Sequence, residues 1–233
     1  MTWLSARTLR TMSELQRQYA LSCLDTVPSL TTLNTYETSY NTSKCRLLYT
    51  QMHSTDPVRC FKASQAWSIA HFLYHTHLEC DVDASSGDRE MAVKLLEKPG
   101  MLGMEEIERQ FVWNERLVVG VGWIWLVRPY PPSLSVKNQK STQQSVLQVI
   151  RVPAGRPPTT CPTTQSPCLP IIGVNLWEHA YCADFGTDRA GFVKEWWRRV
   201  RWERVVPVLA GAAVEGGGHT QRVHEEQWVR YAS

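Results

Sequence analysis

The chain has 233 residues, 43% of them hydrophobic and 20% charged, a balance that excludes a disordered chain and supports a real core. No run of about eighteen apolar residues is present, so no segment reads as a membrane span. The formal net charge of +3 permits a nucleic-acid partner without demanding one.

In chain order, residues 1–30 read as an N-terminal arm with one amphipathic piece, Met12 to Leu24. The start carries Arg7 and Arg10 and no acid before Glu14. Such an acid-poor, Arg- and Ser-containing start fits a mitochondrial address, and equally an exposed arm. Residues 31–93 read as a mostly helical domain that includes a polar break from residue 82. Residues 94–205 alternate helix and strand. Glu105 to Trp113 is a short amphipathic helix, and Gly120 to Val127 an apolar, aromatic buried strand. Ser145 to Val152 alternates as a second strand, Arg156 to Pro170 is a Pro- and Thr-rich loop, and Ile171 to Leu176 is a third strand. Asp188 to Val205 reads as one helix, and residues 206–233 as a C-terminal extension. Helices followed by a small antiparallel sheet with further helices make an α+β fold.

Seven cysteines without a CxxC pair read as reduced thiols rather than a zinc site. Of the ten Trp, six (Trp123, Trp125, Trp177, Trp196, Trp197 and Trp202) are assigned to the core, while Trp3, Trp67, Trp113 and Trp228 are freer to meet partners. His75 and His77 are read as surface residues.

The most informative run is Gly173 to Tyr181. A strand ending in polar residues presents them at its C-terminal mouth. Asn175 and His179 are four residues apart and can converge on one point. His71 stands on an upstream helix. Two His and one carboxylate would suit a redox metal, but the carboxylate position holds Asn175.

Trp177-Glu178-His179-Ala180-Tyr181 resembles the signature of iron/manganese superoxide dismutases, in which an Asp and one further residue precede that pentapeptide. The likeness continues through Asp184, Phe185, Arg189, Phe192, Lys194, Trp197, Trp202 and Glu203. Upstream, Gly120 to Val127 resembles the family's Gly-Ser-Gly-Trp-x-Trp-Leu-Val strand, and His71 to His75 its metal-binding helix. The resemblance covers about residues 31–205. It implies a helical hairpin followed by an α+β domain with a small antiparallel sheet.

The family holds its metal with three His and one Asp. By the resemblance, His71 and His179 keep two of those positions, Asn175 replaces the Asp, and Tyr36 stands where the first His would be. The family's gateway Tyr falls on Lys44. A His that bonds across the dimer falls on Tyr40, and its Tyr partner on Cys182. Glu178 is implied at the dimer interface beside His179. These departures lead to the expectation of no enzyme activity and no cofactor, with iron or manganese as the alternative. Related dismutase-like chains occur in the small subunit of mitochondrial ribosomes. The resulting expectation is a structural protein of that particle in the mitochondrial matrix. It would dock on a related dismutase-like chain and on ribosomal proteins, and contact rRNA through Arg198, Arg199, Arg201 and Arg204, whose other reading is a solvated face. The alternatives are an active dismutase with altered ligands and a structural subunit of another mitochondrial complex.

Overall fold

The computed structural model describes residues 3–23, 48, 50–78, 86–97, 102–129, 147–162 and 167–211. The elements treated below are helices α1 (Ala6–Cys23), α2 (Pro57–Tyr74), α3 (Ser86–Leu96) and α4 (Met104–Leu117), then strands β1 (Gly122–Pro129), β2 (Gln148–Pro153) and β3 (Cys168–Asn175). Helices α5 (Glu178–Phe185), α6 (Arg189–Arg198) and α7 (Trp202–Gly211) follow. This is the expected α+β arrangement, with the three strands in the order β2-β1-β3 and both pairings antiparallel.

Helix α2 starts where its sequence says it should. Pro57 occupies the first turn, and the Asp56 side chain accepts a hydrogen bond from the Val58 amide at 2.9 Å, so one orphan donor is satisfied. Every residue from Ala63 to Phe72 is buried. A helix buried all round belongs to the centre of the molecule, and this is what places His71 in the interior. Strand β1 is buried from Gly122 to Arg128, and the β1–β3 register sets Trp123 opposite Asn175 and Trp125 opposite Gly173. The ring of Trp125 lies where a side chain on residue 173 would go, so glycine there is a packing requirement.

Several expectations are corrected. The N-terminal arm is a docked helix: Leu4, Leu9, Met12 and Ala20 are buried, and Thr8 Oγ1 donates to Asp184 at 2.7 Å. Each large apolar side chain so buried contributes about 1.5–3 kcal/mol, which outweighs the weak amphipathic signal. The polar break after residue 82 contains α3, held by buried Ala92 and Leu96 on one face. The Pro-rich loop ends earlier than read, because β3 begins at Cys168. Pro170 is tolerated there because β3 is an edge strand with a bulge beside it.

The single helix over 188–205 is two helices. At the break, Arg199 O accepts from the His77 amide at 2.7 Å and the Arg201 amide donates to His75 O at 2.9 Å, so backbone groups that would continue the helix are taken by the segment after α2. The extension expected from residue 206 begins as α7, which runs to Gly211 with Pro207 inside it, anchored by buried Val205, Val208 and Leu209. Trp67 is buried, not free for a partner, and His75 is buried, not at the surface. Trp3 stacks on Phe192 with centroids 5.8 Å apart and donates from Nε1 to His77 O at 2.7 Å. Trp228 lies outside the described residues.

Candidate functional site

The strand mouth is built by β3 handing over to α5. Asn175 ends β3 with no exposed surface. Its Oδ1 accepts a hydrogen bond from the Trp177 amide at 2.9 Å, which fixes the entry into α5. Its Nδ2 lies 3.4 Å from His179 Nε2. The structure therefore brings Asn175 and His179 together, as their spacing of four predicts. The amide donates, so the imidazole nitrogen accepts.

His71 sits in an aromatic cage. Its ring centroid lies 4.9 Å from Trp67, 5.0 Å from Trp125 and 4.0 Å from His75, the last pair stacked. His75 Nδ1 lies 3.0 Å from the carbonyl of His71. Burial pushes the His71 pKa well below its ordinary value, with a smaller push from His75. Burial likewise takes His75 down to about 3, against the opposing effect of the His71 carbonyl. His179 is lowered to about 4 by burial. All three imidazoles are neutral at physiological pH, the form in which a His can bind metal.

Donor chemistry decides how well this set fits a redox ion. An amide oxygen already held by a backbone N–H is a poor substitute for a carboxylate, and it adds no negative charge. Among the described residues no group of three His, Cys, Asp or Glu is placed to hold an ion. Among the described residues, two neutral imidazoles and an amide fall short of the ligand set that the resemblance implies, because the anionic donor is missing from them. Tyr36, Tyr40 and Lys44 lie outside the described residues.

The residues expected at a dimer interface separate by exposure. Glu178 and Cys182 are exposed and one turn apart on α5, while His179 is half-buried between β3 and that face. The four arginines read as an RNA contact are mostly engaged within the fold. Arg199 pairs with Glu195 at 2.8 Å and Arg201 with Glu203 at 3.1 Å. Arg204 donates to Tyr74 O at 2.8 Å and lies over the Tyr74 ring. Arg198 pairs with Glu195 at 3.3 Å but remains 71% exposed.

One functional-looking group escaped the sequence reading. Arg189 Nε meets Glu115 Oε1 at 2.6 Å, and its remaining donors reach the carbonyls of Glu115, Val118 and Gly120. The pair spans 74 residues of sequence, so no local pattern announces it.

Residues 98–207 match the family described as iron/manganese superoxide dismutases, C-terminal domain. An iron superoxide dismutase of Campylobacter coli is 28% identical over 198 residues, covering 79% of this chain and 80% of that protein. The iron superoxide dismutase of Escherichia coli K12 is 33% identical over 91 residues, 39% of this chain and 38% of the enzyme. That of Plasmodium malariae is 53% identical over 34 residues, 15% of this chain and 17% of the enzyme. These relatives overturn the expectation that the chain is no enzyme: the similar proteins are named as iron superoxide dismutases, one of them along most of the chain. The expectation of no cofactor meets the same finding, since the matched family is named for iron and manganese.

Proposed function

We propose that this chain, whose residues 98–207 match the C-terminal domain of iron/manganese superoxide dismutases, serves as a structural subunit of the small subunit of the mitochondrial ribosome. It would stand in the matrix and dock on a related dismutase-like chain, on ribosomal proteins and on rRNA. Fold does not dictate function, and a structural role leaves catalysis to be measured separately. The observation that carries the reading is the closure of the strand mouth. Asn175 accepts from the Trp177 amide and faces His179 Nε2, so the strand mouth is tied together by its own polar groups. The exposed pair Glu178 and Cys182 offers a face for a related chain, and Arg198 is the most exposed of the four arginines for a phosphate.

The relatives' names favour a second reading, dismutation by iron or manganese. It would use His71 and His179 with a further donor from residues outside those described. Sedimentation of tagged protein from mitochondrial lysate separates the two. Co-migration with small-subunit rRNA, collapsing to light fractions after ribonuclease, supports the structural role. A light species with one iron or manganese per chain and dismutase activity supports the second reading. Co-migration with a heavy particle that ribonuclease leaves intact would point to another mitochondrial complex.

A further inference from the structure

A groove of about 700 Å³ opens between the segment linking α4 to β1 and the end of β2 with the loop behind it. Its walls are aliphatic, with Leu117, Val119 and Val121 facing Pro157, and Arg151 and Arg156 stand on the second wall. Val119 is 95% exposed and Leu117 44%. An apolar residue left so open on a floppy loop would mean little. This loop is held. Arg189, braced by Glu115, donates to the carbonyls of Val118 at 2.7 Å and Gly120 at 3.0 Å, on either side of Val119. Gly120 adopts φ 73°, a turn that a side chain would strain. Val119 is thus presented by a fixed scaffold, and a surface ordered in advance loses less entropy on binding.

The charge of the groove selects the occupant. Among the described residues, both ionisable side chains on its walls are arginines and no acid lines it. Among the described residues neither Arg151 nor Arg156 has a carboxylate partner. Arg151 reaches only Leu117 O, at 3.5 Å across the groove. Trp113, 58% exposed, lies one turn before Leu117 on α4 and continues the apolar surface. Two guanidinium groups without a carboxylate partner among the described residues, above aliphatic walls, match carboxylates flanked by aliphatic side chains.

We infer that this groove docks an extended segment of a partner protein in which aliphatic residues alternate with glutamate or aspartate. Aliphatic side chains of the segment pack on Val119 and Val121, and its carboxylates meet Arg151 and Arg156. The inference does not depend on the ribosomal reading or on metal content.

The test uses the full chain and three fluorescein-labelled short peptides alternating leucine with glutamate, glutamine or lysine, followed by fluorescence anisotropy. The glutamate peptide should bind about tenfold more tightly than the lysine peptide at low salt, a margin that shrinks as salt rises. The double variant Arg151→Ala/Arg156→Ala should erase that preference while leaving the unfolding temperature within a few degrees. Val119→Ser should weaken the glutamate and glutamine peptides alike. Equal binding of all three peptides, or a preference that survives the arginine double variant, would overturn the inference. So would a short RNA that competes for the groove and depends on the same arginines. A change in self-association of Val119→Ser by analytical ultracentrifugation would assign the groove to a second copy instead.

Discussion

Two places at the same end of the sheet take opposite electrostatic courses. Just before β1, Arg189 and Glu115 bury full opposite charges, with side-chain exposures of 17% and 9%, and three backbone carbonyls complete the guanidinium's bonds. At the end of β3, which pairs with the start of β1, Asn175 and His179 keep polar groups in the interior with no charge at all. A buried charge persists only where it is compensated. Where the chain offers no compensation, it carries an amide and neutral imidazoles. The first place fixes a loop, and the second closes a strand mouth.

The largest way to break this contrast is Arg189→Met. It strands Glu115 and frees three carbonyls, and it should cost about 3–5 kcal/mol in urea unfolding. Adding Glu115→Gln should return part of that loss, because the stranded charge goes with it. No difference between the single and double variants would mean the corner does not depend on its ion pair.

Asn175→Asp tests the other place. A carboxylate buried beside neutral His179 should cost the metal-free protein about 1–3 kcal/mol near pH 8. The new partner raises the folded pKa of His179 above the parent's, so the variant's deficit relative to the parent should shrink as pH falls and widen as pH rises. Urea midpoints of variant and parent across this range check the sign.

The parent should behave the other way. His75 and His179 are lowered by burial to about 3 and about 4 from an ordinary 6.5. Below pH 6.5 the unfolded chain takes up protons that the folded chain refuses. Stability is therefore intact above the unfolded pKa and falls as pH drops toward the folded values, by up to about 1.4 kcal/mol per pH unit for each such group. Thermal unfolding between about pH 7.5 and 5 reads the slope before most carboxylates titrate. A flat profile would show that the two imidazoles are not held neutral.

Much of this arrangement was legible in the residues. The alternation of β2, the aromatic run of β1 and the four-residue spacing of Asn175 and His179 each carry a local period. What escaped was non-local. The end of α6 is decided by its bonds to His75 and His77, and the burial of Trp67 and His75 by their packing around His71 and Trp125. The weakly amphipathic start became a core helix because Trp3 and Thr8 find Phe192 and Asp184 nearly two hundred residues on. Of the arginines' acceptors, Glu195 and Glu203 are sequence neighbours, and only Tyr74 O, which holds Arg204, is brought in by the fold.

The proposal that this dismutase-like chain serves as a structural subunit of a ribosomal particle is tested most directly in one gradient. Mitochondrial lysate containing the tagged chain is sedimented, and every fraction is measured for chain, small-subunit rRNA, iron, manganese and dismutase activity. The account predicts that the chain peaks with the rRNA in a fixed ratio and moves to light fractions after ribonuclease. A chain found only in light fractions, with one metal ion per copy and dismutase activity in the same peak, would contradict it.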